Sequence, residues 1–420
     1  MKLLVQPSKL AGRIAVPGSK SHTIRAIVAG LAASGVSEVT GALAAADTLS
    51  TLEAARKLGA QAEITPERWS ITGTGGEFTD PGATLDLGNS GTGLRLLFAM
   101  AANASFKTTF DGDFSLRSRV MLPLANALEA LGAKVAGEKC PISVTGPLAG
   151  GRAVVYAPSS QFLTACLFAA PLASADTTLE VAELNEAPYI GITLKWLERC
   201  GIELEAAADY SFFRIPGNQR YRAFNAVIPA DFSTAAFPLV AGAIAGNGVE
   251  IANLDFSDVQ GDKAVFDMIA QMGGSSEISG TSALVSPSKL VGREIDLNAT
   301  PDALPIMAVA AAAASGETRL VNVPQARIKE TDRISVMASE LAKMGVKSTE
   351  LPDGLIIQGT RLRGAADLES HGDHRVAMAL AIAALVADAP SQINGVEAAS
   401  VSYPDFFADF IALGADFKGL

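Results

Sequence analysis

The sequence predicts an α/β protein of two domains, each built from three copies of one repeated unit. The chain has 420 residues, too many for one compact core, and two domains of about 200 residues suit that length. Hydrophobic residues make up 49% of the chain and charged residues only 18%, as in a well-buried globular protein. The third observation is an internal repeat with steps of 70 to 72 residues, which indicates a series of similar supersecondary units.

Six turns mark the start of the repeated units. They align on Gly18, Gly88, Pro158, Pro229, Pro301 and Gly372. Each turn carries a small polar residue suited to a helix N-cap, and an alanine-rich run that is apolar all round follows it. Such a run predicts a buried helix. Because helix N-termini attract anions, several equivalent helix starts facing one place would create an anion site.

The second half of each unit adds a short β-branched stretch, an amphipathic helix that ends at glycine, and a strand. "TTLEVAEL" at 177–184 is an example of the β-branched stretch. In "DTLSTLEAARKLG" at 47–59, Leu52, Ala55 and Leu58 have helical spacing, and Gly59 is a suitable stop. "AQAEI" at 60–64 then predicts the strand that completes the unit.

Charge, cysteine usage and hydropathy exclude several classes of partner. A net charge of −11 argues against nucleic acid or an anionic membrane as partner. Cys140, Cys166 and Cys200 are far apart and odd in number, which indicates a reducing compartment and offers no zinc-ligand spacing. The N-terminus reaches Pro7 too early for a signal peptide, and the longest apolar run is too short to span a bilayer. We expect a soluble cytoplasmic protein with no metal and no cofactor.

Cations are concentrated in or beside the repeat turns. Taken singly, each has an ordinary explanation as a surface lysine or a solvated helix start. Their recurrence at equivalent turns instead indicates groups that hold phosphate or carboxylate, because a repeat that served packing alone would not need them. The seven are Lys20, Arg25, Arg95, Arg119, Lys329, Arg333 and Arg375.

The motifs that contain these residues resemble the enolpyruvyl transferase family over essentially the whole chain. The matching segments are "PGSKSHTIRA", "LGNSGTGLRL", "RSRVMLPLANALEALGA", "SSQFLTACLFAAPL", "APYIGITL", "IKETDRI", "GDHRVAMALAIAAL" and "VSYPDFF". The resemblance implies a two-domain inside-out α/β barrel with six βαβαββ repeats, three per domain. One domain would comprise residues 18–228 and the other residues 1–17 and 229–420, with the active site in the cleft between them.

The resemblance also implies an activity. The motifs favour the branch of the family that transfers the enolpyruvyl group of phosphoenolpyruvate to the 5-hydroxyl of shikimate 3-phosphate. The reaction releases phosphate by addition and elimination through a tetrahedral intermediate, and it belongs to the shikimate pathway, which leads to chorismate and the aromatic amino acids. The expected partners are these small-molecule substrates alone, and the protein is expected to be a monomer.

By the same resemblance, four residues have catalytic roles. Asp302 would be the base for the acceptor hydroxyl, and Glu330 would exchange the proton at the methylene carbon. Lys20 would protonate the departing phosphate. His374 would assist by hydrogen bonding, although a purely structural histidine is an equal alternative.

The binding residues form two overlapping sets. Gly91 is expected to leave space for the ligand, as in family members that glyphosate inhibits. The phosphoenolpyruvate set is Lys20, Asn89, Gly91, Thr92, Arg95, Arg119, Gln161, Arg333 and Arg375. The shikimate 3-phosphate set is Lys20, Ser21, Arg25, Ser159, Ser160, Gln161, Tyr189, Asp302, Gln325 and Lys329.

Three positions depart from the family pattern. Glu186 stands where relatives often have a phosphate-binding serine, and a carboxylate there would repel phosphate. Either Glu186 turns away, or the acceptor lacks the 3-phosphate. Val401 replaces a lysine that many relatives have, and Gln325 replaces a common asparagine.

Three alternatives to the main prediction therefore stay open. The sister enzyme that uses UDP-N-acetylglucosamine has a loop cysteine where this chain has Phe114, which argues against it. A non-catalytic ligand-binding relative would be expected to have lost catalytic groups, yet Lys20, Asp302, Glu330 and Arg333 are present. An enolpyruvyl transferase with a different cyclic alcohol as acceptor is motivated by Glu186.

Overall fold

The structure is a computed structural model that describes residues 1–419 and divides into two compact units. The central unit is Gly18–Ile228. The terminal unit combines Met1–Pro17 with the chain from Pro229 onward. Each unit has its own cluster of buried hydrophobic side chains, so each has the core that a separate domain needs.

Six four-stranded sheets, three in each unit, share one topology. The first two strands of each sheet are parallel and the remaining neighbours are antiparallel. In order across each sheet, the central unit has Asn225–Val227, Val36–Thr40, Arg68–Thr72 and Gln61–Ile64; Leu85–Asp86, Thr108–Asp111, Ile142–Thr145 and Lys134–Ala136; and Gly151–Ala157, Thr177–Leu184, Phe212–Ile215 and Glu205–Ala206. The terminal unit has Leu10–Ala15, Gly246–Ala252, Ser282–Ser286 and Ser275–Ser279; Glu294–Asp296, Glu317–Val321, Gly354–Gln358 and Lys347–Leu351; and Leu368–Glu369, Ser391–Asn394, Lys2–Gln6 and Asp416–Lys418. The predicted α/β repeat is thereby confirmed.

Three of these sheets include a strand that is distant in sequence. Asn225–Val227 pairs in parallel with Val36–Thr40 in the central unit. In the terminal unit, Leu10–Ala15 pairs in parallel with Gly246–Ala252. Lys2–Gln6 lies between two strands near the C-terminus and pairs antiparallel with both. A small two-stranded sheet joins Ala33–Ser34 to Tyr221–Arg222.

Two kinds of helix alternate along the chain. Those that follow the aligned turns are buried almost throughout, as their apolar sequences predict: Lys20–Ala32, Gly91–Ala101, Ser160–Ala169, Phe232–Ala245, Leu304–Ala313 and His374–Leu385. The others have one buried face: Ala46–Lys57, Leu122–Ala130, Pro188–Arg199, Val265–Gln271, Arg333–Lys343 and Phe406–Ala412.

Several short helical segments had no sequence prediction. Phe114–Ser118 is a helix of five residues, and Asp113 caps it by accepting from the backbone N–H of Leu116 at 2.8 Å. Its length is too short for a periodic pattern to be visible. The 3₁₀ turns are Ala170–Leu172, Gly261–Ala264, Pro301–Ala303, Pro324–Ile328 and Val396–Val401.

Side chains at the aligned turns cap the N-termini of most of the buried helices, as the sequence predicts. Ser19, Ser90, Asp231 and Asp373 each accept a hydrogen bond from a backbone N–H of the first turn that follows. Ser159 occupies the same position before Ser160–Ala169, but its side chain makes no such bond. Among the helices of residues 1–419, none has both the length and the apolar character needed to cross a membrane.

Candidate functional site

Asp302 is the centre of a group of ion pairs in the terminal unit. It lies in the turn Pro301–Ala303, at the start of a buried helix. Its Oδ1 is 2.8 Å from Nη1 of Arg333 and 3.8 Å from Nζ of Lys329, and its Oδ2 is 3.1 Å from Nη2 of Arg375. Three predicted cations, two from the motif "IKETDRI" and one from "GDHRVAMALAIAAL", therefore converge on one carboxylate.

Arg333 connects this carboxylate to two more. Its Nη2 donates to Oε2 of Glu330 at 2.6 Å, and its Nε donates to Oδ2 of Asp373 at 2.8 Å. The side chain of Arg333 is only 1% exposed. Burial lowers the pKa of Arg333, but Asp373, Glu330 and Asp302 outweigh that effect and raise it. The guanidinium is therefore fixed as a cation by three carboxylates.

Arg375 is held in place by the backbone and by Ser233. Its Nη2 donates to Oγ of Ser233 at 2.8 Å, and its Nη1 donates to the Ser233 carbonyl at 3.2 Å. Arg375 is 2% exposed, and its neighbour Asp373 caps the helix on which it lies. The hydroxyl and carbonyl of Ser233 are neutral groups that orient the guanidinium while it forms an ion pair with Asp302.

The charges of this group balance formally, because three cations face three carboxylates. Burial by itself would raise the pKa of Asp302, yet Arg375, Lys329 and Arg333 together hold that pKa well below its usual range. Asp302 is consequently an ionised but weak base in this form. An anion that bound Lys329, Arg333 or Arg375 would weaken their hold and make Asp302 more basic.

Glu330 and His374 lie in the same neighbourhood. One possible ligand atom from each of Glu330, Asp373 and His374 lies within 4.8 Å of the others. Arg333 forms an ion pair with each of the two carboxylates of this trio, so an ion-pair network accounts for their proximity. His374 is buried at the first residue of its helix.

Arg95 and Arg119 are two buried cations of the central unit whose hydrogen bonds include neutral partners. Nη1 of Arg95 donates to Oε1 of Gln161 at 2.6 Å, and its Nη2 donates to the Val120 carbonyl at 3.0 Å. Nη2 of Arg119 donates to Oδ1 of Asn89 at 2.7 Å. Because neutral acceptors orient a cation without cancelling its charge, these arginines suit an anionic ligand.

Gly91 is the first residue of the helix Gly91–Ala101, which contains Arg95. A Cβ at this position would clash with Nη1 of Arg119 and would lie 3.1 Å from Nη1 of Arg95. The backbone conformation of Gly91 is ordinary, so the need for glycine is one of space. Thr92, the next residue, is half-buried.

Arg25 is the buried cation of a second group in the central unit. It is 1% exposed. Its donors reach Oγ1 of Thr193 at 3.1 Å, the Ser21 carbonyl at 3.0 Å and the Tyr189 carbonyl at 3.3 Å. Burial lowers the pKa of Arg25 to about 10, although Tyr189 and Glu186 act in the opposite direction. Thr164 adds a longer contact of 3.4 Å.

Glu186 faces the two serines and does not turn away from them, which was one of the two alternatives that the sequence left open. Its Oε2 accepts from Oγ of Ser159 at 2.9 Å, and from both Oγ and the backbone N–H of Ser160 at 2.8 and 3.1 Å. The side chain is buried, at 2% exposure. A helix N-terminus and two hydroxyls favour a negative charge, which is why the carboxylate lies there.

The remaining predicted residues have partners within their own unit. Nζ of Lys20 is 3.1 Å from Oδ2 of Asp47, and both side chains are largely buried. Nε2 of Gln325 donates to the Asn298 carbonyl at 2.9 Å. Tyr189 is half-buried, and its backbone carbonyl accepts from Arg25. Val401 ends a 3₁₀ turn.

Sequence reasoning missed several partners of the predicted residues. They are Asp47, Thr164, Thr193, Ser233 and Asp373. Asp373 stands between Gly372 and His374 in a motif that was recognised, so an N-cap signal was available. No local pattern indicates that Asp47 pairs with Lys20, because 27 residues separate them.

The fold and these groups define a class of enzyme that handles small anionic substrates. Residues 4–410 match the family model for EPSP synthase (3-phosphoshikimate 1-carboxyvinyltransferase). Proteins named 3-phosphoshikimate 1-carboxyvinyltransferase from Acetivibrio thermocellus and Ruminiclostridium cellulolyticum are 46% and 45% identical to this chain. The alignments cover 99% of this chain and of the first relative, and 97% of this chain and of the second.

A solved structure agrees with this match. EPSP synthase from Acinetobacter baumannii superposes with a TM-score of 0.82 at 29% identity, with complete coverage of both chains. The chain belongs to the EPSP synthase family and has the enolpyruvyl transferase fold.

Proposed function

We propose that this protein transfers the enolpyruvyl group of phosphoenolpyruvate to the 5-hydroxyl of shikimate 3-phosphate and releases phosphate, as a transferase of the shikimate pathway. The observation that carries the proposal is the convergence of Lys329, Arg333 and Arg375 on Asp302 in a chain of this family. The reaction needs cations for two phosphorylated substrates and carboxylates for proton transfer, and this group contains both.

Asp302 has the role of base for the acceptor hydroxyl. With its present partners the carboxylate is a weak base, because the three cations hold its pKa well below the usual range. Anionic groups of the substrates that engage those cations would raise that pKa toward the range useful for proton transfer. We propose that the base becomes effective only when substrate is bound.

Glu330 exchanges the proton at the methylene carbon of phosphoenolpyruvate. Its contact with Arg333 keeps the carboxylate close to the phosphate-binding cations. Its side chain is 10% exposed, so it is still partly accessible. Lys20 serves the departing phosphate, and its pairing with Asp47 fixes the ammonium in place. We keep His374 as a hydrogen-bonding residue near Glu330.

The two arginine groups of the central unit complete the binding sets. In this proposal the residues that bind phosphoenolpyruvate are Lys20, Asn89, Gly91, Thr92, Arg95, Arg119, Gln161, Arg333 and Arg375. The acceptor set is Lys20, Ser21, Arg25, Ser159, Ser160, Gln161, Tyr189, Asp302, Gln325 and Lys329. The support is that Gln161 contacts Arg95 and follows Ser160 directly, so the two sets adjoin at one helix start.

Phosphate release in the presence of phosphoenolpyruvate and shikimate 3-phosphate tests the proposal. Turnover that requires both substrates is expected. Glu330→Gln keeps the shape of the side chain but removes its acid–base function, so we expect the rate to fall by about 100-fold or more. The matched control is Glu277→Gln, because Glu277 is exposed on the edge strand Ser275–Ser279. A near-normal rate in the Glu330→Gln variant would remove Glu330 from the mechanism.

A second candidate acceptor is favoured by Glu186. Its carboxylate already occupies the donors of Ser159 and Ser160. A cyclic alcohol without a phosphate would leave that arrangement intact. Turnover with unphosphorylated shikimate, and none with shikimate 3-phosphate, would favour this candidate.

Both units must serve the same pair of substrates for this reaction, so we propose that they close together on ligand binding in a cleft that forms the active site. A smaller radius of gyration in small-angle scattering with both ligands supports closure, and an unchanged radius contradicts it. We also propose that the protein is a monomer and that it lies in the cytoplasm; the three free buried cysteines, which are typical of a reducing compartment, support the second point. Sedimentation and cell fractionation test those two points.

A further inference from the structure

We propose that Glu186 is a specificity-determining residue of the acceptor site, because its carboxylate competes with the phosphate of the acceptor for the same hydrogen-bond donors. The inference rests on the proposed function, which assigns Ser159 and Ser160 to that phosphate. It adds that a phosphorylated acceptor binds only by displacing a group of the protein itself.

The hydrogen-bond donors at the start of the helix Ser160–Ala169 converge on Glu186. One oxygen, Oε2 of Glu186, accepts from the hydroxyls of Ser159 and Ser160 and from the Ser160 backbone N–H, all between 2.8 and 3.1 Å. These donors gather around a single point at the start of the helix Ser160–Ala169. A phosphate oxygen would use the same donors, and the two anions would repel each other if both were present.

The surrounding protein holds Glu186 in this position. The side chain is 2% exposed, so the carboxylate is well removed from solvent. Its φ is +60°, in the left-handed region that non-glycine residues seldom adopt. Such a backbone conformation persists only where the surrounding structure imposes it. Here it occurs just before the helix Pro188–Arg199, and the side chain of Glu186 lies in the interior.

Ser159 occupies the N-cap position of its helix, but its side chain does not cap the helix. The equivalent residues Ser19, Ser90 and Asp373 accept from the helix that they begin. Ser159 instead donates its hydroxyl proton to Glu186. The serine that begins this helix is therefore oriented toward an anion, and in this structure that anion is internal.

Arg25 is a cation whose charge interacts with that of Glu186. Glu186 is one of the groups whose charge acts on the buried guanidinium of Arg25. The carboxylate therefore offsets part of the positive field that would attract an anionic acceptor. Removal of its charge should strengthen the binding of a phosphorylated acceptor and leave an acceptor without phosphate largely unaffected.

Binding calorimetry with two variants tests the inference. Glu186→Ser removes the competing group and supplies another hydroxyl, whereas Glu186→Gln keeps the shape and removes the charge. We expect shikimate 3-phosphate to bind Glu186→Ser about tenfold or more tightly than the original protein, since hydrogen bonds to charged groups have this magnitude. Unphosphorylated shikimate should bind all proteins within about twofold of each other. Glu183→Ser is the matched control, because Glu183 is an exposed carboxylate of the preceding strand.

The binding and turnover measurements decide separate questions. Absence of turnover in the original protein and in both variants would contradict the proposed function, while the change in affinity for shikimate 3-phosphate would still test the competition. Affinity that is unchanged or weaker in both folded variants would overturn the inference even if turnover is normal. Thermal unfolding establishes that each variant is folded. If Glu186→Ser does not fold, the affinity of Glu186→Gln for shikimate 3-phosphate is the deciding measurement, and it should be higher than that of the original protein.

Discussion

Nη1 of Arg333 lies 2.8 Å from Oδ1 of Asp302, and this contact joins a cation of one predicted motif to the carboxylate of another. The arginine is 1% exposed and the aspartate 20%, so the pair has one buried and one accessible partner. A ligand anion can therefore approach the carboxylate side of the pair and compete for the guanidinium. In the proposed mechanism, the strength of Asp302 as a base therefore depends on the bound ligand.

Asp302→Asn should separate catalysis from binding. The amide keeps the size of the side chain but cannot accept the hydroxyl proton, so we expect kcat to fall by about 100-fold or more. The KM for phosphoenolpyruvate should not rise, because Lys329, Arg333 and Arg375 lose an internal competitor. Steady-state kinetics measure both quantities. Asp367→Asn, at an exposed position, is the control. Equal losses in kcat and in affinity would indicate a structural role for Asp302.

Gly91→Ala should weaken binding of phosphoenolpyruvate. The added Cβ would clash with the guanidinium of Arg119 and crowd that of Arg95, so at least one arginine must move. We expect KM for phosphoenolpyruvate to rise by about tenfold, because a hydrogen bond to a charged group has that magnitude. Gly191→Ala is the matched control, since a Cβ there meets only the Tyr210 hydroxyl at 3.7 Å. An unchanged KM in the first variant would argue against Arg119 as a ligand-binding group.

Arg25→Lys should damage acceptor binding although it keeps the charge. The guanidinium bonds Thr193 and two backbone carbonyls from separate atoms, and an ammonium cannot reach all three. We expect KM for the acceptor to rise by about tenfold or more, with a smaller effect on KM for phosphoenolpyruvate. Arg152→Lys, on an exposed pair with Glu180, should leave both values unchanged. Equal effects on both substrates would contradict the assignment.

Stability should decrease as pH rises above about 9, because burial raises the pKa of both Cys166 and Cys200 from the ordinary 9.0 to about 12. The unfolded chain then loses thiol protons that the folded chain keeps, which favours unfolding. At pH 10 the effect is about 1.4 kcal/mol for each thiol. The fall in urea midpoint from about pH 8 to about pH 10 should be smaller in a Cys166→Ala, Cys200→Ala double variant. An equal fall in the two proteins would contradict this origin.

The sequence predicts the helices of this fold well because their signals are local. The apolar run after Pro301 predicts a buried helix, and Leu304–Ala313 is buried throughout except at its last residue. The pattern that ends at Gly59 predicts an amphipathic helix, and Ala46–Lys57 ends two residues before it. A periodic pattern within one helix depends on neighbours in the chain, so a single sequence contains enough information.

The partners of the functional groups are not predictable in the same way. Arg333 pairs with Asp373 across 40 residues, and Thr193 accepts from Arg25 across 168 residues. The orientation of Glu186 depends on a positive φ and on two serines of another segment. Each of these contacts exists only after the sheets and helices have packed, so no local pattern specifies it.

The strand Lys2–Gln6 lies in one sheet with Ser391–Asn394 and Asp416–Lys418. During synthesis on the ribosome, this strand therefore emerges long before the two strands that pair with it. The central unit, Gly18–Ile228, contains all the strands of its own sheets and can fold earlier in translation. The terminal unit is consequently the part of the nascent chain that depends longest on protection from premature association.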